Sequence, residues 1–303
     1  MQLGMIGLGR MGANMAQRLQ RGGIAVTGFD PGAEARQRAA SDGLPVVDSL
    51  QGLLQALPGP RVLWLMVPAA AVDSLLDELL PLLAPGDLLV DGGNSWYRDS
   101  QRRAQRCAAA GFGFADCGTS GGIWGLAEGY CLMLGGDAEA LARLRPALQA
   151  LAPAADRGWM HAGPVGAGHY CKMVHNGIEY GLMQAYAEGF ALLQKKREFE
   201  LDLPQLAETW RHGSVVRSWL LDLSTEALRH NPQLQGIAPY VQDSGEGRWT
   251  VNEAIDLDVP APVITLSLLE RLRSREDNSF ADRLLAAMRA GFGGHALKPA
   301  GET

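Results

Sequence analysis

The sequence predicts an α/β Rossmann-type N-terminal domain with a mainly parallel sheet, followed by an all-α C-terminal domain. Three observations carry this prediction. Short apolar strands alternate with helical stretches through about residue 160, a glycine-rich turn follows the first strand directly, and beyond Gly166 long helical periodicity replaces the strand pattern. The glycines and proline of Gly163-Pro164-Val165-Gly166-Ala167-Gly168 punctuate that change, so the expected domains are 1–164 and 165–303.

The strand candidates are residues 3–6, 24–29, 62–67, 88–91, 112–116 and 130–134, each a short apolar run. The spacing between most of them leaves room for a covering helix, as parallel pairing requires. In the second half, helices are expected over 172–196 and 254–273. No internal repeat or low-complexity tract interrupts the chain. The tail after Gly291 is glycine-rich and short on core residues, so it is expected to be mobile or to lie against another subunit.

Gly7-Leu8-Gly9-Arg10-Met11-Gly12 follows the first strand and opens a helix with Ala13, Asn14, Met15 and Ala16, the setting a dinucleotide fingerprint requires. Gly7 permits the tight turn, Gly9 lets backbone approach a pyrophosphate, Gly12 lets helix and strand pack closely, and the helix N-terminus offers amide donors. Asp30 ends the second strand, where a carboxylate accepts from a ribose 2′-hydroxyl and repels a 2′-phosphate. NAD is therefore the expected cofactor and NADP a weaker one, with Arg10, Met11, Val67 and Asn94 completing the expected cofactor contacts. The competing reading of Asp30 is the first residue of an Asp-Pro-Gly turn. Arg36 and Arg38, further along, read as solvated.

Within residues 166–184, GAGHYCKMVHNGIEYGLMQ, Lys172, Asn176 and Glu179 share one helical face. Alone, that spacing describes a solvated stripe. Here His175, Tyr180 and Gln184 crowd the same segment, and Gly166, Gly168, Gly177 and Gly181 interrupt it at a density no helix needs for stability, which points to close packing or a bound ligand. The lysine and glutamate then read as an acid/base pair.

Composition narrows the classes. With 303 residues, 47% hydrophobic and 20% charged, the chain affords a sizeable core, and a net charge of −6 without a basic run argues against nucleic acid. Met1 leads almost at once into a strand with no signal-like segment, and the longest apolar runs are too short and broken to span a bilayer, so a cytoplasmic location and no membrane are expected. Cys107, Cys117, Cys131 and Cys171 lack C-x-x-C spacing and read as reduced thiols. None of the six histidines forms an H-x-x-x-H or H-E-x-x-H pair, so no metal is expected.

Four blocks, GLGRMGAN at 7–14, DGGNSWYRDS at 91–100, GTSGGIWGLAEGYCLMLGG at 118–136 and the 166–184 segment, together resemble the 6-phosphogluconate dehydrogenases of the wider β-hydroxyacid dehydrogenase group, in their short bacterial form. The resemblance covers most of the chain. It implies an NAD-binding first domain and a second domain for substrate and oligomerisation. It also implies Lys172 as general base, Glu179 as general acid and Asn176 as the substrate-orienting amide. Ser120, Gly121 and Gly122 match a turn that binds the substrate carboxylate, His175 and Asn94 line the same pocket, and Tyr180 meets a phosphate. Arg289 and His295 match tail residues that reach a neighbouring subunit's substrate.

The implied reaction is oxidation of the C3 hydroxyl of a phospho-sugar acid, 6-phosphogluconate, by hydride transfer, followed by loss of CO2 to give ribulose 5-phosphate. Lysine ordinarily titrates near 10.4, so the site must favour the neutral amine. Two departures stand out. The loop before Trp249-Thr250 is Asp243-Ser244-Gly245-Glu246-Gly247-Arg248 rather than lysine- and glycine-rich, leaving Arg248 as a substitute phosphate ligand and Glu246 as a repulsive charge. The chain also lacks the duplicated helical half of long forms, which implies a homodimer or homotetramer with shared sites. A further phosphate arginine of the family falls among Arg271, Arg273 and Arg275, with Arg273 the first choice and the other two left open. The alternative within the group is a non-decarboxylating dehydrogenase of a short acid such as 3-hydroxyisobutyrate, which lacks the need for His175, Glu179 and Tyr180. A silent NAD-binding regulator is the alternative of another class.

Overall fold

The computed structural model describes residues 1–293, 297 and 298. The first elements are β1 (Gln2–Ile6), α1 (Arg10–Arg21), β2 (Ala25–Phe29), α2 (Ala33–Ser41), α3 (Leu50–Ala56), β3 (Val62–Leu65), α4 (Val72–Leu79) and β4 (Leu88–Asp91). Then come α5 (Tyr97–Ala109), β5 (Gly113–Ser120), α6 (Gly125–Glu128), β6 (Cys131–Gly135), α7 (Ala138–Leu151) and β7 (Trp159–Gly163). Helices follow: α8 (Ala167–Lys195), α9 (Leu203–Trp210), α10 (Trp219–His230), α11 (Glu246–Asp256), α12 (Pro262–Arg273) and α13 (Phe280–Gly293). An α/β half with a mainly parallel sheet precedes a helical half, as expected.

The sheet runs β2-β1-β3-β4-β5-β6-β7, parallel except where β6 meets β5. Successive side chains of a strand point to opposite faces. Thus Val62, Trp64, Leu88 and Val90 join one core with Met15 and Leu19 of α1 and Leu144 and Leu148 of α7. Leu63, Leu65 and Leu89 join the other with Leu53 of α3 and Leu76 of α4. Both faces are covered, which is why these strands read as continuous apolar runs.

Three differences from expectation matter most. β7 was not foreseen, because Trp-Met-His-Ala-Gly at the sheet edge is largely exposed and carries no apolar run. β5 runs on to Ser120, since β6 pairs with it from Asp116 to Ser120, beyond the last residue that β4 reaches. The helix expected over 254–273 breaks in two: Asp258 takes a left-handed φ of 56°, Pro260 cannot continue a helix, and Pro262 suits the first turn of α12.

The chain divides into two compact units, Met1–Asn176 and Gly177–Thr303, with the division inside α8. In the second unit Leu203 and Ala207 of α9 pack on Leu221 and Leu228 of α10, with Tyr186 and Phe190 against them. Among the described residues no helix is long and apolar enough to cross a membrane.

Candidate active site

The glycine turn is shaped for a close ligand. Gly7 has φ +96°, and a Cβ there would overlap the Met66 carbonyl, while a Cβ on Gly12 would overlap the Gly7 carbonyl. At Gly9, the residue preceding α1, a Cβ would meet nothing within 4 Å. The approach to the first-turn amides is therefore open. No acidic side chain occupies that turn, Arg10 beside it is exposed, and Met11 packs down onto the core.

The turn reading of Asp30 is realised, and its carboxylate also reaches the glycine loop. Its Oδ1 accepts from the Gly32 amide at 2.8 Å, closing the Asp-Pro-Gly turn, and its Oδ2 accepts from the Leu8 amide at 2.7 Å, bracing the glycine loop. Arg36 is half-buried rather than solvated, and its Nη1 donates to the Asp30 carbonyl at 2.7 Å.

Register brings the next residues together. Leu65 pairs with Asp91 and Asp91 with Asp116, so the carboxyl ends of β3 and β4 lie beside Asp116 of β5, which runs on past them at the edge where open α/β sheets bind ligands. Gly93 sits so close to the Val67 carbonyl that a Cβ would overlap it. Asn94, left-handed at φ 53°, grips the backbone of Thr119: its Oδ1 accepts from Thr119 N at 3.0 Å and its Nδ2 donates to Thr119 O at 3.1 Å. That grip sets the start of the Ser120-Gly121-Gly122 turn, whose glycines hold φ of 128° and 52°.

Helix α8 is anchored on the sheet by a residue not singled out from sequence. The buried carboxylate of Asp116 accepts from Gly166 N at 2.6 Å and His169 N at 2.7 Å, capping the helix N-terminus. Gly118 on β5 faces Gly168 and Lys172 so closely that a Cβ would clash with both. The helix thereby seats Lys172 against the sheet, 6% exposed.

Lys172 Nζ donates to Asn176 Oδ1 at 2.5 Å and lies 3.3 Å from His175 Nδ1. His175 reaches Asn176 Oδ1 through Nδ1 at 3.0 Å and Ser120 Oγ through Nε2 at 3.3 Å. One tautomer serves both contacts: Nδ1–H donates to the amide oxygen and Nε2 accepts from the hydroxyl. A buried amine, an amide, an imidazole and a hydroxyl thus converge, a set able to orient a polyhydroxy acid and exchange its protons. Glu179, half-buried, lies two turns beyond Lys172 on α8.

In the second unit Tyr180 is buried, and its hydroxyl accepts from Ser244 N at 3.3 Å. The Arg271 guanidinium lies 3.4 Å from the centroid of its ring. Arg273 points elsewhere, exposed and paired with Asp282 at 3.1 Å. Arg248 and Arg275 both pair with Asp243, at 3.1 Å and 2.7 Å. These partners, Arg248 above all, hold the Asp243 carboxyl below the usual carboxylate range. Glu246 is buried at the start of α11, and its Oε2 has no hydrogen-bond partner. Arg289 is exposed on α13, and His295 lies outside the described residues.

Comparison with known proteins carries the same geometry to a family. Residues 2–162 match the NAD binding domain of 6-phosphogluconate dehydrogenase, and residues 168–290 match the C-terminal domain of 6-phosphogluconate dehydrogenase. A Haloferax volcanii protein named 6-phosphogluconate dehydrogenase, NAD(+)-dependent, decarboxylating, is 48% identical over 98% of both chains. Among solved structures, Plasmodium falciparum 6-phosphogluconate dehydrogenase superposes with a TM-score of 0.84 at 26% identity, covering 100% of this chain and 67% of its own. Mycobacterium tuberculosis 3-hydroxyisobutyrate dehydrogenase superposes with a TM-score of 0.70 at 25% identity, covering 88% of this chain and 90% of its own. Matched over both of its domains and nearly end to end by a relative of its own length, the chain belongs to the 6-phosphogluconate dehydrogenase family.

Proposed function

We propose that this protein oxidatively decarboxylates 6-phosphogluconate to ribulose 5-phosphate and CO2, with NAD as hydride acceptor. The observation that carries the reading is the buried Lys172 amine held on Asn176 Oδ1, with His175 and Ser120 beside it, in a chain of this family. Residues 1–164 serve the cofactor and 165–303 serve substrate and oligomerisation.

The open Gly9 approach, the unobstructed amides of α1 and the Asp30 carboxylate suit a dinucleotide, with Gly7, Gly12, Arg10, Met11, Val67 and Asn94 around it. NAD, when bound, supplies the acceptor for a hydride. Asp30 favours NAD over NADP, because a 2′-phosphate there would meet a carboxylate. The name of the Haloferax relative agrees with that preference.

Burial disfavours a charged amine, so Lys172 is suited to take the proton from the C3 hydroxyl. As an ammonium it then polarises the new C3 carbonyl. The C1–C2 bond breaks, its electron pair flows toward that carbonyl, CO2 leaves, and Lys172 returns its proton to the oxygen. Glu179 delivers a proton to C2 of the resulting enediol while Lys172 takes back the proton of the C3 hydroxyl, which restores the C3 carbonyl as the ketone of ribulose 5-phosphate. Ser120, Gly121 and Gly122 hold the carboxylate, while Asn176 and His175 orient the hydroxyls. Tyr180 and Arg271 meet the phosphate, with Arg271 taking the place first assigned to Arg273 because it overlies the Tyr180 ring.

The enzyme acts in the cytoplasm as a homodimer or homotetramer. Phe280, Leu284, Leu285 and Met288 leave α13 apolar and exposed, and Arg289 on the same helix, with His295 beyond it, would reach a neighbouring subunit's substrate. The 3-hydroxyisobutyrate dehydrogenase superposition supports a short-acid alternative. Arg271 over Tyr180 favours a phosphorylated substrate instead.

The test is the initial rate of nicotinamide reduction with 6-phosphogluconate, run with NAD and NADP side by side while CO2 is trapped. Reduction matched mole for mole by CO2, faster with NAD, is the expected result. Reduction with 3-hydroxyisobutyrate and none with 6-phosphogluconate would overturn the reading.

A further inference from the structure

Arg103, on α5, is 2% exposed and yet its guanidinium has four acceptors, drawn from two separate segments of the chain. Its Nη1 donates to Asp91 Oδ2 at 3.1 Å and to Ser95 Oγ at 2.9 Å, both in the segment that follows or ends β4. Its Nη2 donates to the Ala69 carbonyl at 3.0 Å and to Asp73 Oδ2 at 3.0 Å, both in the segment after β3. Asp91 is fully buried, and its carboxylate also accepts from Ser95 Oγ at 2.7 Å and Gly93 N at 3.0 Å.

An apolar side chain of similar volume commonly replaces a buried ion pair at no loss of stability, so burial of this guanidinium is weak evidence that it exists to stabilise the fold. The cost is visible: Arg103 Nε is itself buried without a hydrogen-bond partner. What the side chain does achieve is register. Its fork joins the Ala69 side, two residues beyond Val67, to the Asp91–Ser95 turn that presents Asn94. Asn94 in turn grips Thr119 and so sets the Ser120 turn, which reaches His175.

We propose that Arg103 is a positioning residue for the reaction: it locks the cofactor-side segment at 67–73 to the substrate-side segment at 91–95, and through Asn94 aligns the Ser120 turn with the Lys172 cluster. The proposal rests on the activity assigned above. Arg103 touches neither ligand, so its effect belongs in turnover of a folded enzyme rather than in binding.

Arg103→Lys keeps the charge and loses the fork. In the folded protein, well below its thermal midpoint, kcat at saturating NAD and 6-phosphogluconate is expected to fall about 10²-fold, the loss a displacement of about 1 Å brings, with each KM within about threefold. Ser95→Ala, a milder cut in the same network and the safeguard if Arg103→Lys does not fold, is expected to lower kcat about tenfold with unchanged KM. Arg102→Ala is the control, since exposed Arg102 shares Asp73 at 2.9 Å but turns its other bond to Asp99 at 3.1 Å, away from Asp91 and Ser95. It should lower the thermal midpoint slightly and leave kcat within about twofold. A kcat unchanged in folded Arg103→Lys or in Ser95→Ala, or lowered equally in Arg102→Ala, overturns the inference. The wild-type rate run alongside keeps the two claims apart: a wild type silent on 6-phosphogluconate overturns the activity, and an active wild type with unaffected variants overturns this proposal alone.

Discussion

Asp73 and Asp243 each hold two arginines, and they do so in different settings. Asp73, in the first unit, binds Arg102 and Arg103, and through Arg103 it is tied to the fully buried Asp91. Asp243, in the second unit, binds Arg248 and Arg275, whose side chains remain 47% and 26% exposed. The first arrangement runs on through buried groups to distant backbone: Asp91 fixes Gly93, and Asn94 fixes Thr119. The second reaches only nearby loop backbone, where Gly245 N donates to Asp243 Oδ1 at 3.2 Å and Arg275 Nε to the Val241 carbonyl at 3.3 Å, and its arginines stay partly exposed. A site that must align reacting atoms gains from the first kind of support, whereas a site that must grip a mobile dianion can use arginines that exchange one anion for another. The proton chemistry should therefore respond to substitution through kcat and the phosphate end through KM.

The sharpest way to break that contrast is Lys172→Ala. Loss of a positioned base typically costs 10²- to 10⁴-fold, and the proposed base has a buried seat, so kcat should fall by about 10³ while NAD binding, measured by fluorescence titration, stays within about twofold. A variant retaining a tenth of the wild-type rate would show that the proton goes elsewhere. Glu179→Ala should follow with a smaller but still large loss of rate, and unchanged kinetics would make the carboxylate structural.

Arg271→Ala probes the other side. A hydrogen bond to a charged group contributes about 1.5–3 kcal/mol, and about 1.4 kcal/mol is tenfold, so KM for 6-phosphogluconate should rise about 10- to 100-fold with kcat little changed. Arg273→Ala, which loses an exposed pair with Asp282, should change KM less than about twofold. Equal effects of the two substitutions would remove Arg271 from the phosphate site.

Why the sequence could not choose between these arginines is a matter of geometry. They stand two residues apart, so on a helix they point to nearly opposite sides, and which side meets Tyr180 depends on how α12 docks. The legible features were local. The glycine turn, the six apolar strands and the Lys172–Asn176 spacing are all written within a few residues, and each is found in place. The unreadable ones join distant positions. Asn94 grips Thr119 across 25 residues, and Asp116 caps α8 across 50 and 53. No spacing rule connects such pairs, since strand register creates them. β7 escaped for another reason: an exposed edge strand has no buried face to impose a pattern.

Acid sharpens the comparison between the two carboxylates. Both are depressed, Asp73 chiefly by Arg102 and then Arg103, and Asp243 chiefly by Arg248, with Asp73 pushed the further. A carboxyl depressed by folding contributes stability that is present above its unfolded value and lost as pH falls through its folded value. The Asp243 contribution should thus fade first on acidification from pH 4, and that of Asp73 at still lower pH. Urea midpoints of wild type, Asp243→Asn and Asp73→Asn at successive pH values measure this: the gap between wild type and Asp243→Asn should close before the gap to Asp73→Asn. The reverse order would show that Asp243 is the better supported of the two.

The smallest expected effect isolates what Tyr180 contributes. Its ring lies beneath Arg271, while its hydroxyl accepts from Ser244 N at a long 3.3 Å. Tyr180→Phe keeps the ring and removes the hydroxyl, leaving the Ser244 amide, on an exposed loop residue, free to bond water. Stability should fall by about 0.5–1 kcal/mol, the net contribution of a neutral hydrogen bond. If the ring and Arg271 carry the phosphate contact between them, KM rises no more than about threefold, far below the Arg271→Ala effect. A rise equal to that of Arg271→Ala would instead place the hydroxyl itself on the phosphate. The second unit would then contain a directional contact as exacting as those around Lys172, and the division between a rigid chemical end and an adaptable anion end would no longer hold.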